Sequence, residues 1–172
     1  MQSAMIRPEG TEYAPYFDRY VSLAPAGDLL ATLAAQPVAA LLEGVSEERG
    51  EYRYDAGKWS VKEALGHIID TERIMAYRAL RVARNDATEL PGFEQDPYVE
   101  FGGFGVRTLV DLVGEFRAVR AATLCLLRGL PEEAWGRWGT ASGNAVTARA
   151  LAWIIAGHEL YHERIYRGRY GL

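Results

Sequence analysis

The chain has 172 residues, of which 49% are hydrophobic, and a formal net charge of −4. A chain of this length is typical of one domain, so we expect a single domain over residues 1–172. The weak negative charge argues against nucleic acid and anionic lipid as partners, because both attract basic proteins. The sequence shows no run of about 18 apolar residues and no basic, apolar leader, which predicts a cytoplasmic protein with no membrane partner.

The first helix is predicted to follow an N-terminal arm. Residues 1–25 contain three prolines and several tyrosines, which favours an irregular arm packed on the rest of the chain and argues against a functional role there. From residue 28 to about residue 43, apolar residues recur at helical spacing. Pro37 lies inside this segment and predicts a kink, because proline lacks the N–H of a helical hydrogen bond.

The second and third helices have clear start signals. Ser60 can cap a helix while Glu63 returns a hydrogen bond to Ser60, and the helical pattern then continues to about residue 85. Thr108 opens a third helix in a similar way, which extends to about residue 130. Cys125 belongs to the apolar pattern of this helix. We therefore predict that this lone cysteine, which cannot form an internal disulfide, lies in the core.

A fourth helix completes the predicted fold, an all-α four-helix bundle. Residues 136–144 are rich in glycine, serine and asparagine and predict a loop. Thr147 can cap the next helix, whose apolar residues recur every three or four positions until glycines appear at residues 168 and 171. Amphipathic helices of this number and length pack as a bundle.

The three histidines of the chain suggest a metal site. His158 and His162 are four residues apart, which places both rings on one face of the fourth helix. They continue its apolar stripe, so they face the interior, where a metal ion would satisfy imidazoles that are costly to bury unpaired. His67, on the apolar stripe of the second helix, is the natural third ligand. The alternative for the pair alone is that two histidines lie four residues apart by chance, at the surface or in the core, and bind no metal.

One shared site restricts the topology. His67 lies near the start of the second helix, whereas the histidine pair lies in the second half of the fourth. These helices must be antiparallel, because parallel ones would separate the ligands by about 6–12 Å along the axis. The requirement predicts an up-down-down-up bundle with a long crossover between the second and third helices. Residues 85–105 can span it at about 3.3 Å per extended residue.

Residues 158–162 also match the HExxH motif of zinc proteases, in which the glutamate acts as general base. Families with this motif take their third ligand downstream, and little chain follows His162 here. We therefore interpret Glu159 as a solvated carboxylate, or as one that supports a metal ligand, in preference to a catalytic base.

Other residues near these motifs have mainly structural interpretations. Asp70 could support a ligand imidazole, but it could equally pair with Arg73, and Glu63 is expected to serve the helix cap. One series of arginines predicts a solvated face of the second helix, although one member could hold a carboxylate of a thiol: Arg73, Arg78, Arg81 and Arg84. The tryptophans are expected in the core or at caps: Trp59, Trp135, Trp138 and Trp153.

Three stretches carry a family resemblance: Gly57-Lys58-Trp59-Ser60-Val61-Lys62-Glu63, Gly66-His67-Ile68-Ile69-Asp70-Thr71-Glu72-Arg73 and Ala156-Gly157-His158-Glu159-Leu160-Tyr161-His162. Through them the chain resembles the DinB-like superfamily of damage-inducible, YfiT-type metal-binding bundles. The resemblance implies an up-down-down-up four-helix bundle, often a homodimer, in which His67, His158 and His162 hold zinc or nickel. Tyr161 departs from the pattern, because many relatives carry a further histidine there. It could line the site or simply pack.

Three neutral nitrogen ligands leave a coordination position open, as in catalytic metal sites. Such a metal could activate water for hydrolysis or hold a thiol as its thiolate for attack on an electrophile. The resemblance favours the second, because characterised members are thiol S-transferases that use mycothiol, bacillithiol or glutathione. We therefore expect a metal-dependent thiol S-transferase of detoxification, with no catalytic side chain assigned. A non-catalytic stress-response protein and a metal-dependent hydrolase are the alternatives. Aromatic residues of the crossover are expected to shape access: Phe93, Tyr98, Phe101 and Phe104.

Overall fold

The computed structural model describes residues 6–172, which are mostly helical. In chain order the helices are α1 (Asp18–Val21), α2 (Leu29–Ala35), α3 (Pro37–Leu42), α4 (Glu47–Gly50), α5 (Val61–Ala83), α6 (Gln95–Phe101), α7 (Leu109–Arg128) and α8 (Ala148–Ile165). Two strands, β1 (Trp138–Ala141) and β2 (Asn144–Thr147), precede α8. Short 3-10 turns lie at Pro15–Phe17, Phe104–Val106 and Glu132–Ala134, and a π-helical turn, Tyr166–Tyr170, extends α8. Among the described helices, none is both long and apolar enough to cross a bilayer.

The predicted first helix is broken in two rather than kinked. α2 ends at Ala35 and α3 begins at Pro37, and between them Gln36 adopts a left-handed conformation with φ 46°. Proline is favoured at the first position of a helix, where its missing N–H would have no partner. The N–H of Val38 donates to Glu159 Oε1 at 3.1 Å, so a carboxylate from α8 satisfies the start of α3.

The starts of the long helices are as predicted. Ser60 Oγ accepts a hydrogen bond from the N–H of Glu63, and the Glu63 carboxylate accepts one from the N–H of Ser60, which completes a capping box. Thr108 and Thr147 cap α7 and α8 through their hydroxyls. The placement of Cys125 in the core was wrong: its side chain is exposed, because it lies about 100° around α7 from its buried neighbour Leu124.

α5 and α8 pack against each other in opposite directions. The Tyr166 hydroxyl, just after α8, donates to the carbonyl of Val61 at 2.9 Å, and the Tyr170 hydroxyl donates to the carbonyl of Trp59 at 2.7 Å. The end of α8 therefore lies beside the start of α5. This antiparallel arrangement brings His67 level with the second half of α8, as a shared histidine site requires.

The buried apolar residues form two clusters, one towards each end of α5 and α8. The cluster near the β-strands contains Trp135 and Trp153, both buried as predicted. The other lies around Phe116 and Tyr166. Trp138 does not follow the prediction: it is half-exposed on β1.

Residues 138–147 form a β-hairpin where the sequence predicted a loop. β1 pairs antiparallel with β2, with Ala141 opposite Asn144. Ser142 and Gly143 connect the strands, and both have positive φ, as type I′ hairpin turns require. The N–H of Leu90, in the crossover between α5 and α7, donates to the carbonyl of Thr140 at 2.9 Å. This bond ties the crossover to the hairpin.

The crossover between α5 and α7 contains short helical segments, and one of its rings packs closely on Gly66 of α5. α6 and the turn at Phe104–Val106 lie within the segment predicted as an extended connection. The Phe104 ring packs against Gly66 of α5, where a Cβ atom would lie 2.3 Å from the ring. Gly66 therefore allows the crossover to pack on α5 beside His67.

Candidate metal centre

The three histidines come together between α5 and α8. Their ring centroids are 5.0 Å apart for His67 and His158, 5.1 Å for His67 and His162, and 4.6 Å for His158 and His162. The Nε2 atoms of His67 and His158 are 3.1 Å apart, and one nitrogen of each ring lies within 4.8 Å of the others. Two nitrogens that bind a tetrahedral zinc ion at about 2.1 Å are about 3.4 Å apart, so the cluster fits one ion.

Burial keeps the three imidazoles neutral. It lowers the pKa of His67 to about 4, with a small opposing effect from the Asp96 carboxylate, and that of His162 to about 3. The pKa of His158 also falls well below its ordinary value, because of burial and then because of the two neighbouring rings. Neutral imidazole is the form that binds metals. Within residues 6–172, this is the one group of three or more potential ligand side chains close enough to share an ion.

Aromatic side chains hold the rings in place. The Tyr20 ring meets His158 edge to face with centroids 5.1 Å apart, and the Trp59 ring lies 4.8 Å from that of His67. Tyr20 reaches His158 because Gly157 has no side chain: a Cβ there would lie 2.0 Å from the Tyr20 carbonyl oxygen. The N-terminal arm therefore contributes to the site, contrary to its interpretation from sequence. Gly157, directly before His158, was the available signal.

Two cavities meet at the histidines. The first, of about 430 Å³, contacts His67 and His162; we call it the Trp59 cavity, and Tyr161 and Asp96 also line it. The second, of about 340 Å³, contacts His67 and His158 and continues to Arg78; we call it the Arg78 cavity. Residues common to both include Tyr16 and Tyr20 of the arm. The site can therefore be approached from two sides.

The family model of the DinB superfamily matches residues 30–165, a span that includes all three histidines. The chain belongs to the DinB superfamily. The resemblance noted in the sequence is thereby confirmed. No curated protein matches the sequence.

Two solved structures share the fold of this DinB-superfamily chain. YfiT from Bacillus subtilis, described as a probable metal-dependent hydrolase with an unusual four-helix bundle topology, superposes with a TM-score of 0.67 at 14% identity, covering 92% of this chain and 88% of that one. The mycothiol-dependent maleylpyruvate isomerase superposes with a TM-score of 0.65 at 16% identity, covering 78% of this chain and 57% of that longer one. At such identities the similarity shows a common fold.

A second buried polar cluster lies beside the histidines, and its charged side chains pair with one another. Arg120 Nε and Nη2 donate to the two carboxylate oxygens of Glu72, each at 2.8 Å, and Nη1 donates to Glu159 Oε2 at 2.7 Å. We call Glu72, Arg120 and Glu159 the Arg120 cluster. Burial raises the pKa of Glu159, and Arg120 opposes that rise. Glu159 is thus buried and not solvated, which corrects that part of its interpretation. Its carboxylate is not free to act as a base, in agreement with the preference stated from the sequence.

Sequence reasoning missed Glu72 and Arg120. The available signal was an arginine within the buried stripe of α7, four residues after Phe116 and four before Leu124. A charged residue at such a position is rarely buried without a partner of opposite charge.

The remaining candidates have simpler roles in this DinB-superfamily protein. Asp70 lies 3.6 Å from Arg73 in an ion pair on α5, and Glu63 serves the helix cap as predicted. Arg78, in contrast, is buried instead of lying on a solvated face. The aromatic residues of the crossover divide: Phe93 lines the Arg78 cavity, whereas Phe101 is 84% exposed.

Proposed function

We propose that this protein is a metal-dependent thiol S-transferase whose divalent ion, zinc or nickel, is held by His67, His158 and His162. One observation carries the proposal: two adjoining cavities, which share His67 in their lining, meet at three buried, neutral imidazoles. A transfer between two substrates needs a binding space for each, with the reacting atoms brought together between them. Hydrolysis needs one such space and water.

The chain's own residues would orient the reactants. An ion bound by three neutral nitrogens keeps an open position and lowers the pKa of a thiol or water that binds there. Tyr20 and Trp59 pack on the ligand rings and fix their orientation, a role that supporting residues commonly have in metal sites. The rings of Tyr54, Trp59 and Tyr161 line the Trp59 cavity. Charged side chains such as Arg19 and Lys58 line it too, so it suits an aromatic electrophile that also carries polar groups.

The proposal includes the up-down-down-up order of the bundle, which the antiparallel packing of α5 and α8 supports. It also includes a homodimer and a role in detoxification, both of which come from the family resemblance, and a cytoplasmic location, which comes from the sequence alone. Sedimentation of the purified protein would test the dimer.

Hydrolysis is the second candidate, favoured by the description of YfiT as a probable metal-dependent hydrolase. In this chain, Glu159 cannot serve as the base, because Arg120 and the N–H of Val38 occupy its carboxylate. Asp96, which lines the Trp59 cavity, is the carboxylate that could accept a proton from water there. A non-catalytic metal-binding protein is the third candidate.

The test is a conjugation assay on protein loaded with zinc or nickel. Glutathione, bacillithiol and mycothiol would each be offered with monochlorobimane, a bicyclic electrophile that becomes fluorescent when a thiolate displaces its chloride. We expect at least one thiol to react faster than its uncatalysed rate, and the acceleration to vanish in metal-free protein and in His67→Gln. No acceleration in any combination, with the metal bound, would contradict the proposal. Cleavage of nitrophenyl esters by the same samples would favour the hydrolase.

A further inference from the structure

We propose that the Arg78 cavity binds the thiol substrate and that Arg78 recognises a carboxylate at the end of that thiol remote from its sulfur. This inference rests on the proposed function, because it takes the thiol as the substrate that binds at the histidines. It adds the chemical class of the thiol and the residue that selects it.

The first observation is a buried cation, Arg78, which forms no ion pair with any carboxylate in residues 6–172. Arg78 is 4% exposed, and its Nη2 donates to the carbonyl of Pro91 at 2.6 Å and to Ser142 Oγ at 3.1 Å. Nη1 has only the weak acceptor Met75 Sδ, at 3.8 Å. A guanidinium has five N–H donors, and it is costly to bury unless a negative charge accompanies it. Burial lowers the pKa of Arg78, and no neighbouring carboxylate opposes that effect.

The contrast with Arg120 shows what is absent around Arg78. Arg120 is fully buried, and the carboxylates of Glu72 and Glu159 pair with it. Around the Arg78 cavity, the carboxylate among the described lining residues is Glu94, which is exposed and forms no ion pair with Arg78. A ligand carboxylate can accept two parallel hydrogen bonds from the guanidinium, in the geometry that arginine favours.

The second observation is an unpartnered hydroxyl between Arg78 and the histidines. Thr71 is 5% exposed, lines the Arg78 cavity, and its Oγ1 has no hydrogen-bond partner among the described residues. A threonine inside a helix commonly donates to the carbonyl four residues earlier, and this one does not. A buried hydroxyl without a partner costs free energy, so a polar atom of a ligand is expected beside it.

These groups lie along one line. His67, Thr71 and Arg78 share a face of α5, because four and eleven residues are close to whole numbers of turns. The rise from His67 to Arg78 is about 16 Å, and a long helical side chain leans back towards the N-terminus, here towards the histidines. The ligand is therefore elongated: sulfur at the histidines, a polar atom near Thr71 and a carboxylate at Arg78.

The test uses two thiols that differ in one group, N-mercaptoacetyl-β-alanine and its terminal amide. Each would be titrated into cobalt-loaded protein, and binding would be followed by the sulfur-to-cobalt absorption band, which requires no turnover. We expect the acid to bind about tenfold or more tightly than the amide. In Arg78→Gln the preference should disappear, while the amide binds as before. Arg78→Lys keeps the positive charge but lacks the two parallel N–H donors of the guanidinium, so it should show an intermediate preference for the acid.

Two further variants complete the design. Thr71→Val should weaken both thiols by a similar factor, because both carry the internal amide. Arg84→Gln removes the same charge from an exposed position near the end of α5 and should leave the preference intact. Cobalt content and helical circular dichroism show whether each variant is folded.

The failures are distinguishable. Equal affinity of acid and amide, or a preference that survives in Arg78→Gln, would overturn the inference and leave the thiol site in place. An absorption band from neither thiol, with cobalt bound, would overturn the proposed function and the inference with it.

Discussion

His158 and Glu159 are adjacent in the chain and belong to two buried polar clusters of opposite character. Glu159 joins the Arg120 cluster, in which every charge has a partner supplied by the chain. His158 joins the three imidazoles, whose one ring-nitrogen contact within hydrogen-bonding distance, in the described part of the chain, is with His67. The first cluster is complete without a ligand, whereas the second opens onto two cavities. We therefore expect the first cluster to stabilise the fold and the second to respond to an added metal ion.

The largest expected change in the free energy of unfolding comes from removing the cation of the Arg120 cluster. Arg120→Ala leaves two buried carboxylates without their cation and should lower the free energy of unfolding by about 3–5 kcal/mol, as measured by urea denaturation. The matched control is Arg117→Ala, on the same helix, which removes an exposed ion pair with Glu43 and should cost less than about 1 kcal/mol. Similar losses for both variants would show that the Arg120 cluster does not hold the fold.

The histidine cluster, His67, His158 and His162, should instead change the stability of the protein when a metal ion is added. Zinc at about one hundred times its dissociation constant should stabilise the wild type by about 2.7 kcal/mol, measured as a shift of the urea midpoint on adding metal. His162→Ala should lose both the bound metal and this shift. Glu163→Ala, one residue further along α8, should keep both. An equal response to zinc in wild type and His162→Ala would refute the assignment of His162 as a ligand.

The sequence predicts the histidine cluster far better than the Arg120 cluster. Three histidines at helical spacing predict both a candidate ligand set and the direction in which α5 and α8 must pack, and the structure brings those rings together. Arg120 shows only that a charge lies within a buried stripe, and no spacing in the sequence identifies Glu72 as its partner, because the two residues lie on different helices. The sequence predicts an arm but not its place in the site, since Tyr20 reaches His158 through a contact that depends on the absence of one Cβ atom at Gly157.

That contact gives the next prediction. Gly157→Ala places a methyl group against the backbone of Tyr20, so the arm must move, at a cost of about 1–3 kcal/mol in urea denaturation. Metal affinity should fall as well, because Tyr20 no longer holds the His158 ring. Gly168→Ala is the control: no neighbouring atom lies within 4 Å of its added methyl group. Unchanged stability and metal affinity in Gly157→Ala would exclude a role for the arm in the site.

The smallest expected effect is the loss of stability of the metal-free protein as the pH is lowered. In metal-free folded protein, the pKa is lowered to about 4 for His67 and about 3 for His162, whereas a histidine of the unfolded chain titrates near 6.5. Between these values the unfolded chain binds more protons, so the contribution to stability is complete only well above pH ~6.5, has begun to fall by pH ~6.5, and falls further as the pH drops. Lowering the pH from ~8 to ~6.5 should cost about 0.4 kcal/mol per ring and about 1 kcal/mol for three, measured by urea denaturation.

Glu159 should make the stability depend on pH in the opposite direction, so a histidine variant is needed to separate the two contributions. Burial raises its pKa in the folded chain, so acid favours the folded state through this carboxylate while it disfavours the folded state through the rings. His162→Gln removes one ring and leaves the Arg120 cluster untouched, so the difference between wild type and variant isolates the imidazole. The variant should lose about a third of the dependence on pH. If wild type and variant respond alike, the rings titrate normally in the folded chain, and the contrast between the histidine cluster and the Arg120 cluster fails.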